Sequence, residues 1–336
     1  MGHFPRTIAS ILLALCLSGC ETLAYYAQAV SGQVSLMAST RPVDALLADK
    51  STPAPLRERL LLARSIRDYA SRELKLPDNG SYRSYADIGR PYAVWNVVAA
   101  PEFALAPLQS CFPVAGCVAY RGFFAQADAE HYAAGLRAQG YDVFVYGVAA
   151  YSTLGSFDDP LLSSFIRSPD AELARLIFHE LAHQVAYVKD DSTFNESFAV
   201  TVEREGVRRW LLATGRGLEG WLEAEERQRQ AVAEIQQARA RLERLYRSRI
   251  AVEAMRERKQ RELAALKEKL QEGGRTRDIV PNNAFLASFA TYTELVNEFE
   301  EILRENNGDL ARFYAQVKRY AASPPSNRGP LSKPTP

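Results

Sequence analysis

The stretch "LIFHELAHQVAYVKDDSTFNESFAVTVEREG", Leu176 to Gly206, holds two of the chain's four histidines, and its reading decides the rest. His179, Glu180 and His183 match the pattern H-E-x-x-H. Residues four apart lie on one face of a helix, so both imidazoles can reach a single zinc ion. Glu180 stands beside them, placed to take a proton from the water that such an ion activates. The plainer alternative is a pair of core histidines on an amphipathic helix. It is disfavoured because the helix is otherwise strongly apolar, and burying two unpaired imidazoles and a carboxylate there is costly.

Two imidazoles leave a third ligand to be found. His3 falls in an N-terminal export signal and His131 lies far upstream in an expected helix, so a three-histidine site is poor. A carboxylate then completes the set, as in two-His-one-Glu catalytic zinc sites. Glu196, in "FNESFA", opens a new helix after a loop short enough to return beside the first. Glu203 lies seven residues on, close to the same helical face, and is the runner-up.

Outward from the site, "SPDAELARLIFHELAHQVAYV" reads as a helix capped by Ser168 or Asp170, and "KDDSTF" as a polar break. A second helix starts at Asn195 or shortly before it. Residues 21–75 read as helical, with "PAPLRERLLLARSIRDYASREL" the clearest segment. Residues 76–150 are mixed: "CVAYRGFF" and "YDVFVYGVAAYSTL" read as strands, and a short helix between them closes at Gly140. From about Glu219 to Glu272 the chain is charged and helical. Leu242, Leu245, Val252, Leu263, Leu266 and Leu270 share one heptad register there, which Arg249, Arg256 and Lys259 interrupt. A coiled coil and a hairpin folding back near Ser248 both remain open. "NNAFLASFATYTELVNEFEEILREN" gives one further helical segment and "DLARFYAQVKRY" a last one. The tail reads as disordered.

The chain has 336 residues, 47% hydrophobic and 24% charged, with a formal net charge of +1. A nucleic-acid partner usually shows as a basic excess, and there is none. No run of eighteen apolar residues follows residue 20, so no spanning helix is expected. The N-terminus "MGHFPRTIASILLALCLSGC" has a basic residue, an apolar run from Ile8 to Leu17, and then Leu17-Ser18-Gly19-Cys20. That is an export signal. Its ending resembles the bacterial lipoprotein box, which implies cleavage before Cys20 and lipid on that cysteine, with a plain signal peptide as the alternative. Glu21 follows, and by resemblance to the sorting rule the expected location is the outer membrane, facing the periplasm. Cys111 and Cys117, in "CFPVAGC", remain as a pair, and in an oxidising compartment a disulfide closing a small loop is the natural reading.

"HELAH" followed by "NESFA" resembles the gluzincin metallopeptidases, whose third ligand is the glutamate of an Asn-Glu pair. By that likeness Glu196 is the ligand, and Glu203 a partner of a ligating histidine. Only twelve residues separate His183 from Glu196, where those families have eighteen or more; by spacing alone Glu203 fits better. More widely, "YYAQAVSGQ", "SYADIGRPYAVWNVVAAPEF", "AYSTLGSFDDPLL" and "NNAFLASFATY" are similar to a proteobacterial lipoprotein family known as predicted aminopeptidases, over about residues 20–320.

The resemblance implies an α+β, zincin-like metallopeptidase with a mixed α/β N-terminal part, a mainly helical C-terminal part and a long charged helical insertion. The expected division is a signal peptide over 1–19, anchor-proximal helices and catalytic region over 20–218, and a helical insertion or hairpin over 219–274. Helices packing on the catalytic region follow over 275–322, and the tail over 323–336. One zinc ion (Zn2+) per chain and a peptide or protein substrate are implied, and Glu180 acts as general base. Tyr292 and Tyr151 are candidates to support the oxyanion. Asp158 and Asp159 are candidates for a substrate α-ammonium, although "FDDP" is also a good turn. In zincin folds substrate pairs with an edge strand before the motif helix, which makes "VFVYGVAAYSTLG" the expected strand. A zinc endopeptidase of the envelope and a non-catalytic, partner-binding lipoprotein are the alternatives.

Overall fold

The computed structural model describes residues 25–112, 116–273 and 279–323. The signal peptide, Cys20 and the tail beyond Ser323 lie outside the described residues.

The motif helix, α5 (Asp170–Ala182), buries Leu173, Ala174, Ile177, Phe178 and Leu181 completely, the helical spacing that the sequence shows. Its start differs from expectation. Pro169 occupies the cap position, and neither Ser168 nor Asp170 caps a backbone N–H. Asp170 lies inside the first turn, where its carboxylate favours the helix dipole and pairs with Arg59 at 2.6 Å and Arg216 at 2.7 Å. The next helix, α6 (Ser192–Thr214), begins three residues before Asn195 because Asp191 accepts the Phe194 N–H at 2.9 Å. It ends at Gly215, whose φ of 66° suits only the left-handed region. The two helices pack closely at Gly206: a Cβ there would lie 2.8 Å from both Leu74 and Phe178.

Ahead of α5 run α1 (25–38), β1 (Arg41–Pro42), α2 (Val43–Ala48), α3 (Ala54–Arg72), β2 (Ser84–Ala86), β3 (Val94–Ala100), β4 (Ser110–Phe112), β5 (Gly116–Val118), β6 (Arg121–Phe123), α4 (Gln126–Ala138), β7 (Asp142–Val148) and β8 (Leu161–Leu162). The strands form three small sheets, β1-β2-β8, β6-β3-β7 and the hairpin β4-β5. In β3, Val97 and Ala99 pack toward α4 while Val98 and Ala100 pack toward a later helix, so the strand's period of two divides two cores. The antiparallel register of β3 and β7 runs from Val94↔Val148 to Ala100↔Asp142, and β7 is the outer strand of its sheet.

Past α6 the charged block is a hairpin, α7 (Leu218–Tyr246) and α8 (Val252–Glu272), turning over residues 247–251. Ile235, Ala238, Leu242, Leu266 and Leu270 bury their side chains between the arms and against Leu105, Phe285 and Leu286. Val252 leaves the heptad register and is 50% exposed, since the reversal of the chain takes it out of the seam. Two of the residues that interrupt the register dock the hairpin on the body. Arg256 clasps Glu102 through two hydrogen bonds, and Lys259 pairs with Asp142 at 2.7 Å. The expected single helix that follows is two, α9 (Asn283–Thr293) and α10 (Val296–Glu305), before α11 (Leu310–Ala322). The break falls where the Leu295 N–H donates to the Ser197 hydroxyl at 3.2 Å, which bends the chain back against α6.

Arg67 of α3 connects this scaffold to the motif helix. Its guanidinium is fully buried and donates to the carbonyls of Ser81 at 2.7 Å, Pro77 at 2.7 Å and Asn79 at 3.1 Å. The loop so held places Asn79 on Gln184, next to His183, at 2.7 Å. Arg67→Met is expected to lower unfolding free energy by roughly 3 kcal/mol, because three buried carbonyls lose their donors. Urea denaturation of the two proteins measures it, and a loss below about 1 kcal/mol would show that water replaces the guanidinium.

Candidate metal centre

His179 and His183 project from the last turn of α5, and Glu196 from the first turns of α6. The α5–α6 connection is short because Asn195 clips it: its side chain accepts the Val188 N–H at 2.7 Å and donates to the Val188 carbonyl at 2.8 Å. The turn therefore brings Glu196 back over the histidines despite the twelve-residue interval.

His179 Nε2 lies 3.2 Å from His183 Nε2 and 3.2 Å from Glu196 Oε2, and His183 Nε2 lies 3.7 Å from the same oxygen. All three residues are buried, and among the described residues theirs is the set of His, Cys, Asp and Glu ligand atoms converging on one point. A tetrahedral zinc ion with bonds of about 2.0–2.1 Å separates its ligands by roughly 3.3 Å. The triangle of lone pairs matches that edge length on two sides and exceeds it modestly on the third. The residues present fit the ion.

Glu203, two turns along α6, accepts from His179 Nδ1 at 2.8 Å and from Arg175 at 3.0 Å. Its bond fixes the tautomer and turns the His179 Nε2 lone pair toward Glu196 and His183. Glu203 stands behind the histidine and not at the convergence point. Arg175 in turn forks onto Glu172 through two further bonds. His183 Nδ1 is buried without a partner among the described residues, so no carboxylate holds that side of its ring.

The cluster attracts positive charge. Burial alone lowers the pKa of His179, yet its hydrogen bonds to the Glu196 and Glu203 carboxylates raise it to about 10. His183, farther from the carboxylates, is lowered by burial to about 4. Burial opposes ionisation of Glu196, but His183 and His179 hold it below the usual carboxylate range. Glu180 is raised to about 7, mainly by burial, with Glu196 adding and His179 opposing.

A cavity of about 290 Å3 opens onto these groups and is lined by Glu180, Tyr292 and Tyr151 among others. The Tyr292 ring stacks beside His179 with centroids 6.5 Å apart, and its hydroxyl bonds that of Tyr146. Burial keeps its pKa well above 10, so it remains a proton donor. Tyr151 instead spends its hydroxyl on Gln33 of α1. Asp158 and Asp159 do not line this cavity. Asp159 is turned into its own loop, accepting from the Thr153 N–H at 2.9 Å and hydroxyl at 2.8 Å, and burial raises its pKa to about 6. Asp158 rests against Gly80.

Cys111 and Cys117 are disulfide-bonded, and the hairpin they close gives Phe112 and Val118 to the cavity wall. The Cys117 N–H donates to Asp190 at 2.6 Å, tying that wall to the loop before α6. Sequence reasoning passed over Tyr120, Tyr146 and Arg175. The alternation of Phe144, Tyr146 and Val148 along β7 was the available signal for Tyr146; Arg175, one turn before His179, was signalled by helical spacing.

In comparison with known proteins, residues 24–331 match a family described as "Aminopep: Putative aminopeptidase". No curated protein and no solved structure matches the chain.

Proposed function

Because the chain belongs to that family, we propose that it is a zinc-dependent peptidase of the aminopeptidase type, lipid-anchored through Cys20 to the outer membrane and facing the periplasm. The convergence of His179, His183 and Glu196 at 3.2, 3.2 and 3.7 Å carries the reading. The "LSGC" ending supports the anchor.

Zinc bound to these three residues supplies the Lewis acid that activates water and polarises the scissile carbonyl. Glu180 takes the proton of the attacking water and passes it to the amine as the C–N bond breaks. Burial, which raises Glu180 to about 7, suits a group that must both accept and donate near neutral pH. Tyr292, whose ring lies beside His179, is a neutral O–H group that supports the developing oxyanion. The outer edge of β7, beyond the Val143 carbonyl that Asn282 occupies, offers backbone groups to extended substrate. A cavity of about 290 Å3 suits a chain terminus better than the middle of a polypeptide.

Paired peptides with free and acetylated N-termini test this. The zinc-containing protein is expected to release the first residue of the free peptide and to spare the blocked one. Internal cleavage of both alike would make it an endopeptidase, and cleavage of neither would remove the peptidase reading.

A further inference from the structure

We propose that the substrate side chain held beside the metal centre is large and apolar, branched aliphatic or aromatic, and that the cavity rejects polar and charged side chains. This rests on the peptidase reading and names its substrate class.

Away from the metal ligands the wall is apolar and comes from separate parts of the chain. Tyr25 of α1, Phe112 of β4, Val118 of β5, Phe124 after β6, and Val94 and Val148 at the paired ends of β3 and β7 all face the space. These groups hold one another: Tyr25 stacks on Phe112 with centroids 5.7 Å apart, and Arg90 lies over the Phe124 ring at 5.6 Å. Ala29, Gly122 and Ala150 supply depth between them. The result is a preformed apolar surface of the kind that binds through the area removed from water.

Most of the wall's polar side chains are already engaged, with Tyr120 and Ser192 also lining the space. Asn96 donates to the Tyr146 hydroxyl, Tyr151 to Gln33, and Asn195 bonds Val188 in both directions, while Ser152 accepts the Leu154 N–H. Among the described residues no Lys, Arg or Asp lines the cavity; its carboxylates are Glu180 and Glu196. An anionic side chain meets no cation and is repelled by those two carboxylates. A cationic one finds only carboxylates committed to the metal and the reaction. A neutral polar side chain loses its water and regains few partners. An apolar side chain gains in proportion to its size.

The test uses the zinc-loaded full chain and the 4-nitroanilides of Leu, Phe, Ala, Glu and Lys. Leu and Phe are expected to exceed Ala in kcat/KM by roughly 10- to 100-fold, with Glu and Lys below Ala. In Val148→Phe, which fills part of the pocket, the Phe-to-Ala ratio is expected to fall roughly tenfold or more, with zinc content confirming an intact fold. Equal rates across the panel, a preference for Glu or Lys, or an unchanged ratio in the variant would overturn the proposal. If the zinc-containing protein cleaves no free-amino substrate, the aminopeptidase reading fails separately. Calorimetric binding of the α-hydroxamates of the same five amino acids then decides the pocket: tighter binding of Leu and Phe supports it, and a flat or charged preference overturns it.

Discussion

Glu180→Gln is expected to remove nearly all peptide hydrolysis, by roughly 10³-fold or more in kcat, while the protein keeps its zinc. The substitution is close to isosteric, and Glu180 is not among the three residues whose ligand atoms converge. What changes is the ability to accept a proton. A glutamine amide cannot take one from the attacking water, so the step loses its base without losing its geometry. Zinc stoichiometry and single-turnover rates on the same preparation separate the two properties. Activity within about tenfold of wild type would mean that another group is the base. Loss of zinc with loss of activity would mean that Glu180 supports the metal.

Glu196→Ala and Glu203→Ala are expected to diverge by orders of magnitude in zinc affinity. Removing Glu196 takes away one of three ligands and its charge from a buried point, so bound zinc should fall from about one per chain to near none at micromolar concentration. Removing Glu203 leaves all three ligand atoms in place. It frees the His179 ring and strips Arg175 of one carboxylate, an effect on metal affinity of roughly 10- to 100-fold. Competition with a chromogenic chelator measures both. The reverse order would make Glu203 the ligand and Glu196 its support. The asymmetry is sharpened because, among the described residues, His183 Nδ1 has no partner, so only His179 is held from behind by a carboxylate of α6.

Much of this site was legible because helix periodicity is a short-range rule. The histidines are four positions apart and Glu196 and Glu203 seven, so their faces follow from helical geometry alone. The outward return of α6 was also legible, since Asp191 and Asn195 are residues that cap and clip. Helix starts and breaks were less so. Ser168 looked like a cap, yet Pro169 took the position, and the interruption at Glu294–Leu295 depends on Ser197, nearly a hundred residues away in sequence. The hairpin was left open for a similar reason. Arg256 and Lys259 spoil a heptad pattern, and nothing local reveals that Glu102 and Asp142 await them. Tyr120, Tyr146 and the burial of Arg67 are long-range facts of the same kind. Asp158 and Asp159, offered both as a binding pair and as a turn, lie outside the cavity lining, with Asp159 bonded to Thr153 of its own loop.

The cavity has Tyr25 of α1 on one side and Tyr292 of α9 on another, so its walls come from parts of the chain far apart in sequence. Contacts of such long sequence separation are the last to be closed during folding. A polypeptide that carries the two histidines and Glu196 but has not yet docked α9 therefore still lacks the Tyr292 side of the cavity.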